Sequence, residues 1–253
     1  MSETRVRAGP AQPCRPWGPA ASLAWGFAAI AAWLAAQIVL GDLLLEWFAP
    51  DGGEAAAARL GSHAPFVAIV TLGAAIVPLA VIALAIRKSG CPLAEYLGLR
   101  WPEGRYLRLG LVTLAMLIPL VDLVSWLAGY AITPQFVIDL YETARDSGAV
   151  LLLVLAIVVV APVVEEALFR GFLLPGLAAS ILGAPGAIAL TSVAWALLHA
   201  QYQPFYLLQI IALGVVFGWL RLQSGSTVLT MLLHGLLNLA AMAQAAVIAE
   251  WRM

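Results

Sequence analysis

Long apolar runs, separated by short polar stretches, dominate the pattern of this chain. Seven runs are present, and most reach or exceed the roughly 20 helical residues that cover the ~30 Å hydrocarbon core of a bilayer. They lie at 20–40, 64–86, 107–131, 149–174, 184–200, 204–222 and 226–249. The fifth run is short, and we predict that its helix ends within the bilayer, at 201–204.

Composition supports a membrane protein. Hydrophobic residues make up 63% of the 253 residues and charged residues 11%, where soluble domains have about 45–50% and about 25%. The mean hydropathy is +0.96, which excludes a water-soluble fold. The net charge of -1 provides no basic field for nucleic acid. The predicted fold class is an all-α membrane protein, a polytopic bundle of about seven transmembrane helices with an intramembrane cavity.

The distribution of charge predicts the domain organisation and the orientation. Residues 1–19 hold four prolines and three arginines and are predicted to form a poorly ordered tail. Transmembrane helices and loops follow over 20–148, and a core that carries the candidate chemistry covers 149–253. The 87–108 loop is basic, whereas the loops before the second run and after the third are mainly acidic. The positive-inside rule then predicts a multi-pass protein of the inner membrane with a cytoplasmic N-terminus.

The two cysteines, Cys14 and Cys91, lie far apart in the sequence. Their spacing matches neither a disulfide framework nor a zinc knuckle. We therefore predict two free thiols.

Three ionisable residues lie inside the fourth apolar run: Glu165, Glu166 and Arg170. A charge at mid-bilayer costs ~2.5–3.5 kcal/mol on insertion scales, so the three require compensation. Glu166 and Arg170 are spaced i,i+4 and share a helix face, which predicts an ion pair. Glu165 is rotated from Glu166 by about 100° and is predicted to face a wet cavity. Pro162 and a Pro-Gly pair at 175–176 predict a bent or broken helix.

Two histidines follow on separate apolar runs. His199 lies four residues after Trp195, at the end of the fifth run, and His234 shares a helix face with Asn238 in the last run. Glu165 and His199 are each 17 residues from Leu182, near the predicted turn between the fourth and fifth runs. In a helical hairpin they would lie at similar depth on facing helices.

A carboxylate and two imidazoles can activate water for attack on an amide. Glu165 would take the proton, a histidine would deliver one to the leaving amine, and Asn238 would donate to the oxyanion. Alternatively, Glu165, His199 and His234 form a three-ligand set for zinc or another divalent metal. The His-Glu-x-x-His motif is absent, which excludes a zincin-type helix. The residues leave the metal-dependent and metal-free versions open.

Asp122 is a further polar residue, the one acidic side chain of the third run. A hydrogen-bonded structural role is predicted for it. A role as a fourth buried polar participant in the site is the alternative.

The order of these motifs resembles a known family. Glu165-Glu166-x-x-x-Arg170, an aromatic residue four positions before His199, and His234-x-x-x-Asn238 are similar to the three-motif signature of the CPBP or Abi family. This family comprises type II CAAX prenyl endopeptidases and bacteriocin-processing or immunity-associated membrane proteins. The resemblance covers about 150–240. The chain departs from the usual pattern at Trp195, where the family has Phe, and we expect the indole to shape the pocket.

The resemblance implies an intramembrane peptidase with a cavity open to the cytoplasm. It implies that Glu165 activates water, that His199 and His234 assist catalysis or bind metal, and that Asn238 stabilises the oxyanion. It also implies that Glu166 and Arg170 support the site. The expected partners are a membrane-bound protein or peptide substrate and the lipid bilayer, with no nucleic acid.

Two alternatives come from other functional classes. The pocket would serve recognition in a non-catalytic bacteriocin-immunity or partner-binding protein. Buried Glu and His would relay protons in a transporter. Transporters often carry inverted repeats, and none is evident in this sequence.

Overall fold

The chain folds into a bundle of α-helices. The computed structural model describes residues 14–49 and 59–251, and this part contains helices and no strand. The fold class, an all-α polytopic membrane bundle, is confirmed. The helices, numbered here in chain order, are α1 (Pro19–Phe48), α2 (Ala64–Ser89), α3 (Leu93–Leu97), α4 (Gly104–Leu127), α5 (Gln135–Asp146), α6 (Val150–Ala178), α7 (Gly183–Leu197), α8 (Pro204–Ser224) and α9 (Thr227–Trp251).

Six helices of the described residues are long and apolar enough to cross a membrane: α1, α2, α4, α6, α8 and α9. The seventh apolar helix, α7, has 15 residues, or about 22 Å at the helical rise. It is shorter than the ~30 Å hydrocarbon core. It ends at Leu197, so the fifth apolar run forms a short helix, as predicted from its length.

One end of the bundle, called here the basic end, gathers the start of α1, α3 and the turn between α8 and α9. The backbone N–H of Trp17 donates to the hydroxyl of Tyr96 at 3.0 Å, and the N–H of Thr227 donates to the carbonyl of Gly98 at 3.0 Å. The basic residues at this end are Arg87 and Lys88 in the last turn of α2, Arg100 in the connection, and Arg105 and Arg108 at the start of α4.

The opposite end, called the acidic end, gathers the start of α2, α5 and the end of α9. The hydroxyl of Thr143 donates to the carbonyl of Ser62 at 2.9 Å, and Arg145 pairs with Glu250 at 3.3 Å. The acidic residues of α5, Asp139, Glu142 and Asp146, lie here. Consequently α1 begins and α9 ends at opposite ends of the bundle.

The segment before α1 is held against the basic end. Residues 1–13 lie outside the described residues, but Trp17 donates its indole N–H to the carbonyl of Ala85 at 2.9 Å. Cys14 and Cys91 form a disulfide, with Cα atoms 5.3 Å apart. The prediction of free thiols is therefore wrong, as is a loose tail for residues 14–18. The sequence separation of 77 gave no sign that this segment folds back over the end of α2.

Two wide, π-helical turns interrupt α6, at Leu155–Val160 and Ala167–Leu173. The first lies just before Pro162, which has no backbone N–H and cannot donate to carbonyls four or five residues earlier. Those carbonyls belong to Val158 and Ile157. The helix runs without interruption through this segment and widens on each side of the two glutamates, so the predicted break is absent.

Helix α9 packs closely against these carbonyls. A Cβ at Gly235 would lie 2.6 Å from the carbonyl oxygen of Val158, so only glycine permits this approach. Three residues later, the side-chain amide of Asn238 donates to the carbonyl of Ile157 at 2.7 Å. The first wide turn of α6 therefore fixes the position of the His234–Asn238 face.

Apolar side chains make up both the core and much of the outer surface. The core between α6, α7 and α8 contains Phe169, Phe172 and Phe217, each at most 1% exposed. Large apolar side chains such as Phe27 and Met116 are exposed on the outer helices. This surface is that expected of helices that face lipid.

Candidate active site

Glu166 and Arg170 form a fully buried ion pair on α6. Glu166 Oε1 lies 3.0 Å from Arg170 Nη1, and neither side chain is exposed to solvent. Arg170 also donates to the carbonyl of Gly214 on α8 at 3.4 Å, and its guanidinium lies 4.3 Å from the centre of the Trp195 ring. The i,i+4 pair therefore ties α6 to α7 and α8.

His234 on α9 contacts Glu166 and not Glu165. Its Nδ1 lies 3.1 Å from Glu166 Oε1. Because a carboxylate paired with arginine accepts hydrogen bonds, Nδ1 carries the proton and donates. The ring packs edge-on against Trp195, with centroids 5.2 Å apart. This arrangement orients His234 and leaves its Nε2 for a ligand.

Glu165 faces away from the ion pair. Its Oε2 accepts a hydrogen bond from Trp195 Nε1 at 2.5 Å and lies 4.0 Å from His199 Nε2. His199 Nδ1 lies 3.0 Å from the carbonyl of Trp195, which can only accept, so Nδ1 is protonated and Nε2 keeps its lone pair. A separation of 4.0 Å is too long for a hydrogen bond, but it fits a water about 2.8 Å from both atoms.

The turn after α7 places His199 beneath the acidic end. The ring of Tyr202 packs against Phe136 of α5 with centroids 5.6 Å apart, and the hydroxyl of Tyr206 donates to the carbonyl of Ala131 at 2.9 Å. The segments of the acidic end therefore cover His199, although α7 is too short to span the membrane. The hairpin of α6 and α7 brings it to the depth of Glu165, as counting from Leu182 suggests.

Two lobes of a cavity meet at these side chains. Lobe one, of about 170 Å³, lies between α4, α8 and α9 and includes Trp195 and Asp122 in its wall. Lobe two, of about 410 Å³, lies between α1, α2, α6 and α9 and includes Glu165 and Gln37. Both lobes reach the connections of the acidic end. The residues that line both are Val137, His199, Tyr202, His234, Asn238 and Ala241.

The residues named as metal ligands do not form a compact ligand set. Within the described ranges, no group of three His, Cys, Asp or Glu side chains gathers closely enough to hold a metal ion. The Glu165 oxygen nearest His199 is already bonded to Trp195, and His234 is bonded to Glu166. We therefore derive no step through a metal.

The sequence reasoning missed the direct bond between Trp195 and Glu165. The sequence does contain a sign of this bond. At the position where the family usually has Phe, Trp195 adds an indole N–H donor, and the buried carboxylate of Glu165 needs a donor. It also missed that Asn238 is held by a backbone carbonyl of α6. That contact depends on the wide turn before Pro162, which residue spacing does not reveal.

One comparison with known proteins agrees with this geometry. Residues 147–240 match the family model described as type II CAAX prenyl endopeptidase Rce1-like. The matched segment contains both glutamates, both site histidines and Asn238, and the family that it resembles is one of membrane-embedded proteases. No curated protein and no solved structure matches the chain.

Proposed function

We propose that this chain is an intramembrane endopeptidase that cleaves a membrane-associated protein or peptide with a water activated by Glu165. The observation that carries the proposal is the pairing of Glu165 and His199 at 4.0 Å, beside the junction of two cavity lobes. An Rce1-like family match over the same residues supports it. The substrate would cross the junction with one lobe on each side of the scissile bond.

Each group has a defined part in the proposed reaction. Glu165 accepts a proton from water, and the water oxygen attacks the carbonyl carbon of the peptide. The second amide hydrogen of Asn238, which its bond to Ile157 leaves free, donates to the oxyanion. His199 Nε2 accepts this proton from Glu165 and delivers it to the leaving amine as the C–N bond breaks, which returns Glu165 to its ionised form. His234, held by Glu166, faces the same junction, where its Nε2 can accept a hydrogen bond from a substrate N–H.

The test is cleavage of a fluorescent, membrane-anchored peptide by purified protein in nanodiscs. Glu165→Ala and His234→Ala are expected to abolish cleavage, while the wild type cleaves. Full activity of either variant would contradict the proposal. In the same assay, chelator treatment tests the metal-dependent alternative, and the chemistry proposed above predicts no loss of rate.

We further propose that the protein lies in the inner membrane with its basic end toward the cytoplasm, because the positive-inside rule favours this orientation. The cavity then opens at the other end, away from the cytoplasm, which disagrees with the opening implied by the family resemblance. Labelling with a membrane-impermeant thiol reagent decides between them. Cysteine at the exposed position Ser147 should react in intact spheroplasts, and cysteine at Gly104 only after lysis; the reverse result would support the family's orientation.

A further inference from the structure

We propose that lobe one binds a positively charged group of the substrate, with Asp122 as its counter-charge. The inference rests on the proposed peptidase function and adds a substrate class to it: peptides with a Lys or Arg side chain, or a free amino terminus, near the cleaved bond. It starts from the surroundings of Asp122, which the proposed reaction does not use.

Asp122 is a carboxylate without a cationic partner. Among the described residues, no Lys, Arg or His lies within ion-pair distance of it, and the side chain of Gln244 donates to it at 2.7 Å. The wall of lobe one, as far as the structure describes it, contains no Lys or Arg. A purely structural carboxylate at membrane depth would be expected to have a compensating charge within the protein.

Asp122 is placed near the acidic end rather than at the bilayer centre. It lies five residues before the end of α4, or about 7.5 Å along the helix axis, on the side of the acidic end. The cost of a charge falls steeply from the bilayer centre toward the interface. Ionising a carboxylate here therefore costs less than at the bilayer centre, and a cation in lobe one would stabilise the charge.

Further polar groups make lobe one a binding groove for a peptide. Thr133, 1% exposed, lines the lobe, and its hydroxyl oxygen has no hydrogen-bond partner. Gln209, also in the wall, donates to Ser125 at 2.9 Å. Unsatisfied buried hydroxyls are uncommon, so Thr133 is poised to bond a group that enters with the ligand.

The distance along α9 sets where the cation lies in the substrate. Asn238, the proposed oxyanion donor, and Gln244, the partner of Asp122, are six residues apart, or about 9 Å by helical rise. An extended peptide covers this distance in about three residues. The charged group should therefore lie about three residues from the scissile bond, on the side that occupies lobe one.

The experiment compares kcat/KM for anchored peptides that carry Lys, Gln or Glu at each of four positions on both sides of the bond. Wild-type protein should prefer Lys over Gln about tenfold at one position, the order expected of a partly desolvated ion pair. Asp122→Asn should remove this preference, and Asp122→Lys should transfer it to Glu. A parallel set with a free or acetylated amino terminus separates a terminal ammonium from a side-chain cation.

Asp139→Asn is the matched control, because it removes the same charge from α5 outside the lining of both lobes. It should keep the Lys preference. An equal loss for all peptides in Asp122→Asn would show a structural role and overturn the proposal. If wild-type protein cleaves no peptide, the proposed function fails by itself. Binding of the same peptides, measured by fluorescence anisotropy, then decides whether the Lys preference and its dependence on Asp122 exist.

Discussion

The two neighbouring glutamates of α6 lie in different surroundings. Glu166 is fully buried, and its carboxylate contacts two buried side chains, Arg170 and His234. Glu165 is 8% exposed, lines lobe two, and has one neutral donor, the indole of Trp195. Among the described residues, no Lys or Arg pairs with it, and Nε2 of His199 lies 4.0 Å away.

This difference suggests a catalytic role for one glutamate and a structural role for the other. A carboxylate that is neutralised by arginine has little tendency to take a proton, and its loss leaves a buried charge uncompensated. A carboxylate that faces a cavity can exchange a proton with water. We therefore propose that Glu165 acts in catalysis and that Glu166 positions His234. The following substitutions test that division.

Glu165→Gln should have the largest effect. The amide keeps the size of the side chain and an acceptor for Trp195, but it cannot act as a base. We expect kcat to fall about 10³-fold, with the free energy of unfolding nearly unchanged. Peptide cleavage in nanodiscs and SDS titration measure the two quantities. The exposed Glu103→Gln serves as the control and should change neither.

Glu166→Gln should lower the free energy of unfolding more than it lowers kcat. Arg170 would remain buried without a carboxylate, which typically destabilises a protein by about 3–5 kcal/mol. SDS titration measures the loss. The double variant Glu166→Gln/Arg170→Met removes both charges and should recover much of the stability. If Glu166→Gln were as stable as the wild type but inactive, the two glutamates would have the reverse roles.

Asn238→Ala should affect the rate more than substrate binding. Removing one oxyanion donor typically lowers kcat about 10²- to 10³-fold, because the donor acts mainly in the transition state. We expect KM to change little. Steady-state kinetics provide both values, and Gln223→Ala, exposed near the basic end, is the control. A rise in KM at constant kcat would assign Asn238 to substrate binding instead.

Trp195→Phe should have the smallest effect. Phe is the residue usual in the family and preserves the ring between Arg170 and His199, but it has no N–H for Glu165. Loss of one hydrogen bond to a charged group should lower kcat about tenfold. Trp219→Phe, partly exposed on α8, should leave the rate unchanged. An equal loss in both variants would rule out a specific role for the indole N–H.

Local spacing predicted a substantial part of the fold and of the site. Apolar runs gave the helices, since their length follows from the thickness of the bilayer. The i,i+4 rule gave the pair Glu166–Arg170, and equal distances from Leu182 suggested the meeting of Glu165 and His199. Each of these inferences needs only helical geometry.

Contacts between distant segments could not be predicted. The disulfide of Cys14 and Cys91 depends on how residues 14–18 cross the end of α2. The preference of His234 for Glu166 depends on the rotation of α9 relative to α6, and that rotation depends on the close approach at Gly235. Such rotations arise from packing in three dimensions, so one sequence read alone does not define them.

The proline in α6 limits how far these motifs can be transplanted. In a regular helix, the carbonyls of Ile157 and Val158 would bond to N–H groups of their own helix, and Asn238 would lose its acceptor. A designed bundle with all three motifs on ideal helices would then hold the right side chains on helices of the wrong rotation and spacing. Engineers who graft this site should copy the backbone irregularity before Pro162 together with the residues.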